Sequence, residues 1–172
     1  MFGPTHPSTA TCLNNLALLL QTQGDFAGAR PLFDRALAIY EKVLGLEHPD
    51  TAASLINLAG LHLDQGDLAG ARPLLERALA IREKALGLEH PNTNVARGNL
   101  ARLLLESGNP GEALSFGKTA LAAHEKLLGQ DHPWTKDSAS VTADALDALG
   151  RADEAAVLRA GYGLEGNSPP SE

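Results

Sequence analysis

The sequence predicts an all-α chain built of stacked helix pairs, and three observations predict it. His-Pro stands at 6–7, 48–49, 90–91 and 132–133, a spacing of 42 residues each time. Glycines follow the same ruler at Gly24, Gly66, Gly108 and Gly150. Between these marks apolar residues recur at helical spacing. A fixed period of this length marks a stacked-repeat architecture, in which each repeat buries its apolar face on its neighbours.

Aligned on that period, the 172 residues divide into repeats at 6–47, 48–89 and 90–131, a degenerate C-terminal capping repeat at 132–161, and a flexible tail at 162–172. The first two repeats match at 29 of 42 positions. In each, His-Pro opens a first helix, because proline fits the first helical position, where its missing N–H has no partner to lose. The spacing predicts that helix over 7–22 in repeat one, with Leu13, Leu16, Ala17 and Leu20 on one face. Gly24 ends it in the left-handed conformation, and Asp25 is a fitting N-cap for the second helix. That helix turns Ala29, Phe33, Ala36, Leu37, Tyr40 and Leu44 inward and stops at Gly45. Repeat two does the same with Leu55, Leu58, Ala59, Ala71, Leu75 and Ala78, and repeat three with Leu100, Ala101, Leu104, Ala113, Phe116 and Ala120. Pro31 and Pro73 lie inside the second helices and predict a slight kink or a late start. In repeat four, Thr142 and Arg159 stand at apolar positions. Asp137, Ser138, Ser140, Thr142, Asp144 and Asp147 read as the polar outer face that a terminal repeat needs.

Composition narrows the function. The net charge of −7 argues against nucleic acid and anionic membranes as partners, since both require a basic face. No apolar run reaches the length of a membrane span, and the first residues do not form a signal peptide. One cysteine, Cys12, allows neither an internal disulfide nor a cysteine-clustered zinc site. The expected compartment is the cytoplasm.

No enzyme chemistry assembles. The four His-Pro histidines belong to successive loops, too far apart to share a metal whose ligands must lie about 2 Å from one centre. His124-Glu125 begins like a zinc-protease motif, but Leu128 stands where the second histidine is needed. Gly161, Gly163 and Gly166 match a dinucleotide fingerprint formally, without the strand and helix it requires. Cys12 lies beside Leu13 with no evident base. No cofactor and no catalysis are expected.

The repeated residues carry a family resemblance. Small residues at Ala17, Ala29 and Ala36 recur at Ala59, Ala71, Ala78 and at Ala101, Ala113, Ala120, with Phe33 in the first set. This pattern is similar to that of tetratricopeptide repeats. The 42-residue length, the HPxT opening and the NLAxLL, QGD and RALAIxEKxLG segments resemble the kinesin light chain-like subtype. The resemblance covers about residues 6–161. It implies a right-handed superhelical solenoid of antiparallel helix pairs and a non-catalytic scaffold that binds a protein or peptide in a concave groove lined by first helices.

By that resemblance the peptide-binding positions are Asn14, Asn15 and Leu18 in repeat one, and Ile56, Asn57 and Asp64 in repeat two. They continue with Asn99, Arg102 and Glu106 in repeat three and Asp144 in repeat four. Asn15, Asn57 and Asn99 form a ladder at the repeat period, and amides can hold an extended peptide backbone because they donate and accept. They can equally bond the neighbouring repeat and fix the stacking. The basic residues that clamp a terminal carboxylate in chaperone-binding relatives are missing, since Thr11, Ala53 and Val95 stand there. Kinesin light chain grooves prefer acidic peptides with an aromatic anchor. Here Asp64, Glu106, Asp137, Asp144 and Asp147 outweigh Arg102, so the expected ligand is neutral or basic toward its fourth-repeat end. The sequence starts inside what aligns as an inter-repeat loop. That start gives two expectations: a C-terminal piece of a longer array, or self-association through the first helix pair. The alternatives to peptide binding are a structural spacer, a self-associating array, or the regulatory C-terminal arm of a larger signalling protein.

Overall fold

Every His-Pro starts a helix, and the motif has a hydrogen-bonding reason. A computed structural model of the chain describes residues 3–164. Over them run the helices α1 Pro7–Thr22, α2 Phe26–Val43, α3 Pro49–Asp64, α4 Leu68–Leu86, α5 Pro91–Glu106, α6 Pro110–Leu128, α7 Pro133–Ala148 and α8 Ala152–Gly161, with no strand among the described residues. His6, His48, His90 and His132 are the N-caps of the four first helices. Each Nδ1 accepts the backbone N–H two residues on, at 3.1–3.2 Å. Accepting at Nδ1 places the ring proton of a neutral imidazole on Nε2. The threonine two residues after the proline ties the loop back. Thr9, Thr51 and Thr135 donate their hydroxyls to the carbonyls of Gly3, Gly45 and Gly129 at 2.8–2.9 Å. HPxT is thus one bonded unit of cap, first turn and loop closure.

The second helices begin after a left-handed glycine, as at Gly24 (φ 79°) and Gly66 (φ 73°). Asp25 and Asp67 then accept the N–H of Gly28 and Gly70 at 2.9 and 2.8 Å. Asn109 makes no such cap bond, and α6 opens on Pro110. Pro31 and Pro73 lie inside α2 and α4, which run unbroken from Phe26 and Leu68. The late start does not occur, because each proline forfeits one N–H bond and the apolar face holds the helix on both sides of it.

The chain divides into two compact units, Met1–Leu88 and Glu89–Glu172. In the N-terminal unit, fully buried Phe33 of α2 packs with Ala17 of α1, Ala29, and Leu58 and Leu61 of α3. Burying a side chain of this size stabilises by about 1.5–3 kcal/mol. Ala10, Ala36, Ile39 and Tyr40 form a second cluster between α1 and α2. Ala52, Leu55, Ala78 and Ile81 form a third between α3 and α4. The alanines have no exposed surface, which lets the helix backbones approach.

In the C-terminal unit the corresponding seam has a glycine where the aromatic stood, and polar residues are buried along it. Gly117 stands 84 residues, two periods, after Phe33. A Cβ on it would lie 2.7 Å from Thr142 Oγ1 and 3.4 Å from Thr142 Cα. So α7 packs directly on the bare backbone of α6. Thr142, expected at the outer face, is buried, as is Ser138. The Thr142 hydroxyl donates to the Ser138 carbonyl at 2.7 Å, which satisfies it without solvent. Ser138 Oγ in turn lies 3.0 Å from Nδ1 of buried His124, whose Nε2 is 3.0 Å from the Pro91 carbonyl. One imidazole thus bridges α5, α6 and α7. Asp137, Asp144 and Asp147 are exposed as expected.

Two further expectations are corrected. Leu16, read as inward-facing, is 47% exposed. The equivalent face of α3 is covered by α2, and that of α7 by α6. Tyr162–Leu164, assigned to a flexible tail, close α8: the Tyr162 N–H bonds the Leu158 carbonyl and the Leu164 N–H bonds the Arg159 carbonyl. The remaining tail, with Gly166 of the formal glycine motif, lies outside the described residues.

Candidate protein-interaction face

Within the N-terminal unit, α1 and α3 lie side by side, joined by two side-chain bonds. Gln21 Nε2 donates to Asp64 at 2.7 Å, and Ser54 Oγ donates to Asn14 Oδ1 at 3.4 Å. The second bond decides the role of Asn14. It is buried between the helices, not open to a ligand, because its position on α1 faces α3. Asn15, one residue on, is exposed, and Leu18 is 38% exposed beside it. On α3, Asn57 is half-buried, while Ile56 leans onto the Ala52–Leu55–Ala78–Ile81 cluster and belongs partly to the core. Asp64 is exposed and holds Gln21.

In the C-terminal unit, Asn99 is half-buried on α5. Arg102, one turn on, donates to Asp137 of α7 at 2.6 Å. Glu106 is exposed in the last turn of α5. Asp144 of α7 is turned to α8, where Arg159 bonds it and Asp147 at 2.7 Å each. Hydrogen bonds that it donates to Asp144 first and Asp147 second hold that guanidinium more firmly charged than usual. These pairs alter the charge expected from counting acids. Asp137, Asp144 and Asp147 each face an arginine that offsets their charge in place, whereas Asp64 bonds a neutral amide and keeps its charge.

The asparagine ladder comes out differently from its buried neighbours. Among the described residues, the side chains of Asn15, Asn57 and Asn99 take no hydrogen bond, whereas Asn14 and Asn94 are buried and bonded. Gln21, which was not among the expected positions, ties α1 to α3 through Asp64. With Nε2 committed to Asp64, its buried Oε1 is an acceptor that no described residue uses. Its signal in the sequence was weak, since Leu63, Leu105 and Asp147 hold the same place in the other repeats.

Polar residues recur at the period at 40, 82 and 124; Tyr40 was expected to face inward, whereas the burial of Arg82 and His124 was not foreseen. All three are buried. Tyr40 Oη meets Thr11 Oγ1 at 2.9 Å, and burial pushes the Arg82 guanidinium down from its ordinary value. They are packing devices with polar tips. Among the described residues, no three His, Cys, Asp or Glu side chains converge as metal ligands, and no helix is long and apolar enough to cross a membrane.

A period of antiparallel helix pairs, small residues where they cross, and a polar face on the first helices define a class of repeat protein. The chain belongs to the tetratricopeptide repeat family, whose models match residues 9–50, 50–126 and 92–158. Its repeats are of the kinesin light chain-like kind. Two crystal structures of a Podosopora anserina kinesin light chain protein with nearly identical tetratricopeptide-like repeats are similar to it. One is 32% identical with a TM-score of 0.83, the match covering 91% of this chain and 74% of that one. The other is 31% identical with a TM-score of 0.83, covering 96% and 79%. BtubC (BKLC) from P. vanneervenii shares the fold at 20% identity and a TM-score of 0.78, covering 97% of this chain and 70% of that one. No curated protein matches the chain.

Proposed function

We propose that the chain is a non-catalytic scaffold that binds a peptide segment along the exposed face of its first helices. The contact residues are Asn15, Asn57 and Leu18 in the N-terminal unit, and Asn99, Arg102 and Glu106 in the C-terminal unit. Family membership supports the coarser reading, since tetratricopeptide repeats are generally protein-interaction modules. One observation carries the finer one: the amides of this face hold hydrogen-bonding capacity that the fold does not use. An extended peptide loses water from its N–H and C=O groups on binding, and side chains that donate and accept replace it. Asp144 contributes only if Arg159 releases it, so the preference for a basic ligand end is weaker than the count of acids implies.

A peptide-library pull-down on the purified chain, repeated with Asn57→Ala and Asn99→Ala combined, tests the reading. Each lost bond costs about 1 kcal/mol, so the double variant should bind selected peptides roughly 10- to 30-fold more weakly. Equal binding by both proteins would assign the ladder no role.

A further inference from the structure

Positions 12, 16 and 19 of α1 recur as 54, 58 and 61 of α3, as 96, 100 and 103 of α5, and as 138, 142 and 145 of α7. In the three later helices all nine side chains are buried, none more than 6% exposed. In α1, Cys12 is exposed, Leu16 is 47% exposed and Leu19 is 53% exposed. Within each unit the cover is a second helix. Leu58 and Leu61 pack on Phe33 of α2, while Ser138 and Thr142 meet His124 and Gly117 of α6. The face on α1 therefore has the stereochemistry of a helix-docking surface, and no described residue covers it.

We infer that a second copy of this chain covers it, with α1 packing on α1 across a two-fold axis. Charge selects this occupant. Pro7–Thr22 contains no Asp, Glu, Lys or Arg, and α1 is the only such helix among the described residues. The whole chain carries −7, so contact between two copies elsewhere brings like charges together, whereas α1 meets its own kind without that repulsion. Head-to-tail stacking is the competing arrangement, and α8 is unsuited to it. Where α2 presents Phe33, α8 presents Arg159, held by Asp144 and Asp147. A contact of α1 with itself is self-complementary and closes at two copies. Leu16, at the middle of the stripe, then lies near the axis and Cys12 approaches Leu19 of the partner subunit. The inference is independent of the peptide-face reading, because it needs no ligand.

Sedimentation equilibrium of the full chain between about 1 μM and about 500 μM, the range where modest interfaces assemble, tests it. The expected result is a monomer–dimer equilibrium of the 18.0 kDa chain that added salt does not weaken, since no ion pair holds the contact and screening only relieves the repulsion of like-charged chains. Leu16→Lys with Leu19→Lys, both solvent-facing in the single copy, should weaken it at least about 100-fold while the helical circular dichroism stays unchanged. Alkylation of Cys12 should slow as the wild-type concentration rises. A wild-type monomer throughout, a dimer that survives the double lysine variant, or open-ended growth would each overturn the inference.

Discussion

In the N-terminal unit, Phe33 fills the space between α2 and α3. In the C-terminal unit, Gly117 holds the same place in the period, and α7 comes down onto the backbone of α6. The same repeat thus closes its seam either with an aromatic side chain or by removing one. The two solutions make different chemical demands. An apolar seam needs no hydrogen-bond partners. The close seam leaves polar groups dry, and they bond one another: Thr142 to the Ser138 carbonyl, Ser138 to His124, and His124 to the Pro91 carbonyl. The repeat period conserves the place where helices meet, not the means of filling it.

That contrast can be broken at its apolar end first. Phe33→Ala should cost about 3–5 kcal/mol, the usual range for emptying an aromatic site in a core, read from urea unfolding. At the other end, Gly117→Ala should destabilise by about 1–3 kcal/mol through overpacking against Thr142, although alanine is the better helix former. Combining it with Thr142→Ala removes the contacted oxygen. The pair should therefore be less damaging than the sum of the singles by at least about 0.5 kcal/mol. Additive costs would mean that α7 does not rest on Gly117.

Gly98 sharpens the comparison within the C-terminal unit. It too is buried, yet a Cβ on it meets nothing within 4 Å. Gly98→Ala should stabilise by about 0.5–1 kcal/mol, the ordinary helix gain over glycine. A loss at both glycines would show that burial alone, not the approach of α7, sets the response.

The smallest expected effect is an acid one, confined to the N-terminal unit. The Gly70 N–H first, and His62 second, hold the Asp67 carboxyl below its ordinary value of 3.8. A carboxyl lowered in the folded state contributes stability above its unfolded value, and loses it as pH falls through the folded one. Asp67→Asn should therefore be less stable than wild type by a constant amount near neutrality, with the gap closing below about pH 3.8. Asn109 at the equivalent start of α6 has no carboxylate to titrate. Urea midpoints taken from pH 7 down to 3 would measure this, and a gap that persists at the lowest pH would assign the cap no charge component.

The proposed binding face was legible only in part. Asn15, Asn57 and Asn99 could be found because they repeat at the period; Asn15 is exposed and the other two are half-buried. Asn14 could not be separated from Asn15, because one residue along a helix turns a side chain by about 100°, and a neighbour decides which of the two is covered. The acids misled for a related reason. Counting them omits Arg159, which lies 15 residues from Asp144 in sequence and 2.7 Å from it in space. Leu16 shows the same limit: its apolar spacing is correct, but its burial depends on a helix that α3 has and α1 lacks.

By itself the sequence determined the period, the helix limits and the caps. These rest on bonds within a few residues, such as His48 to the Asp50 N–H or Asp25 to the Gly28 N–H. Tertiary structure alone decided how each seam closes, which amides remain open, which acids are paired, and which leucines reach solvent. Those outcomes depend on side chains 14 to 43 residues apart, whose approach no local pattern records.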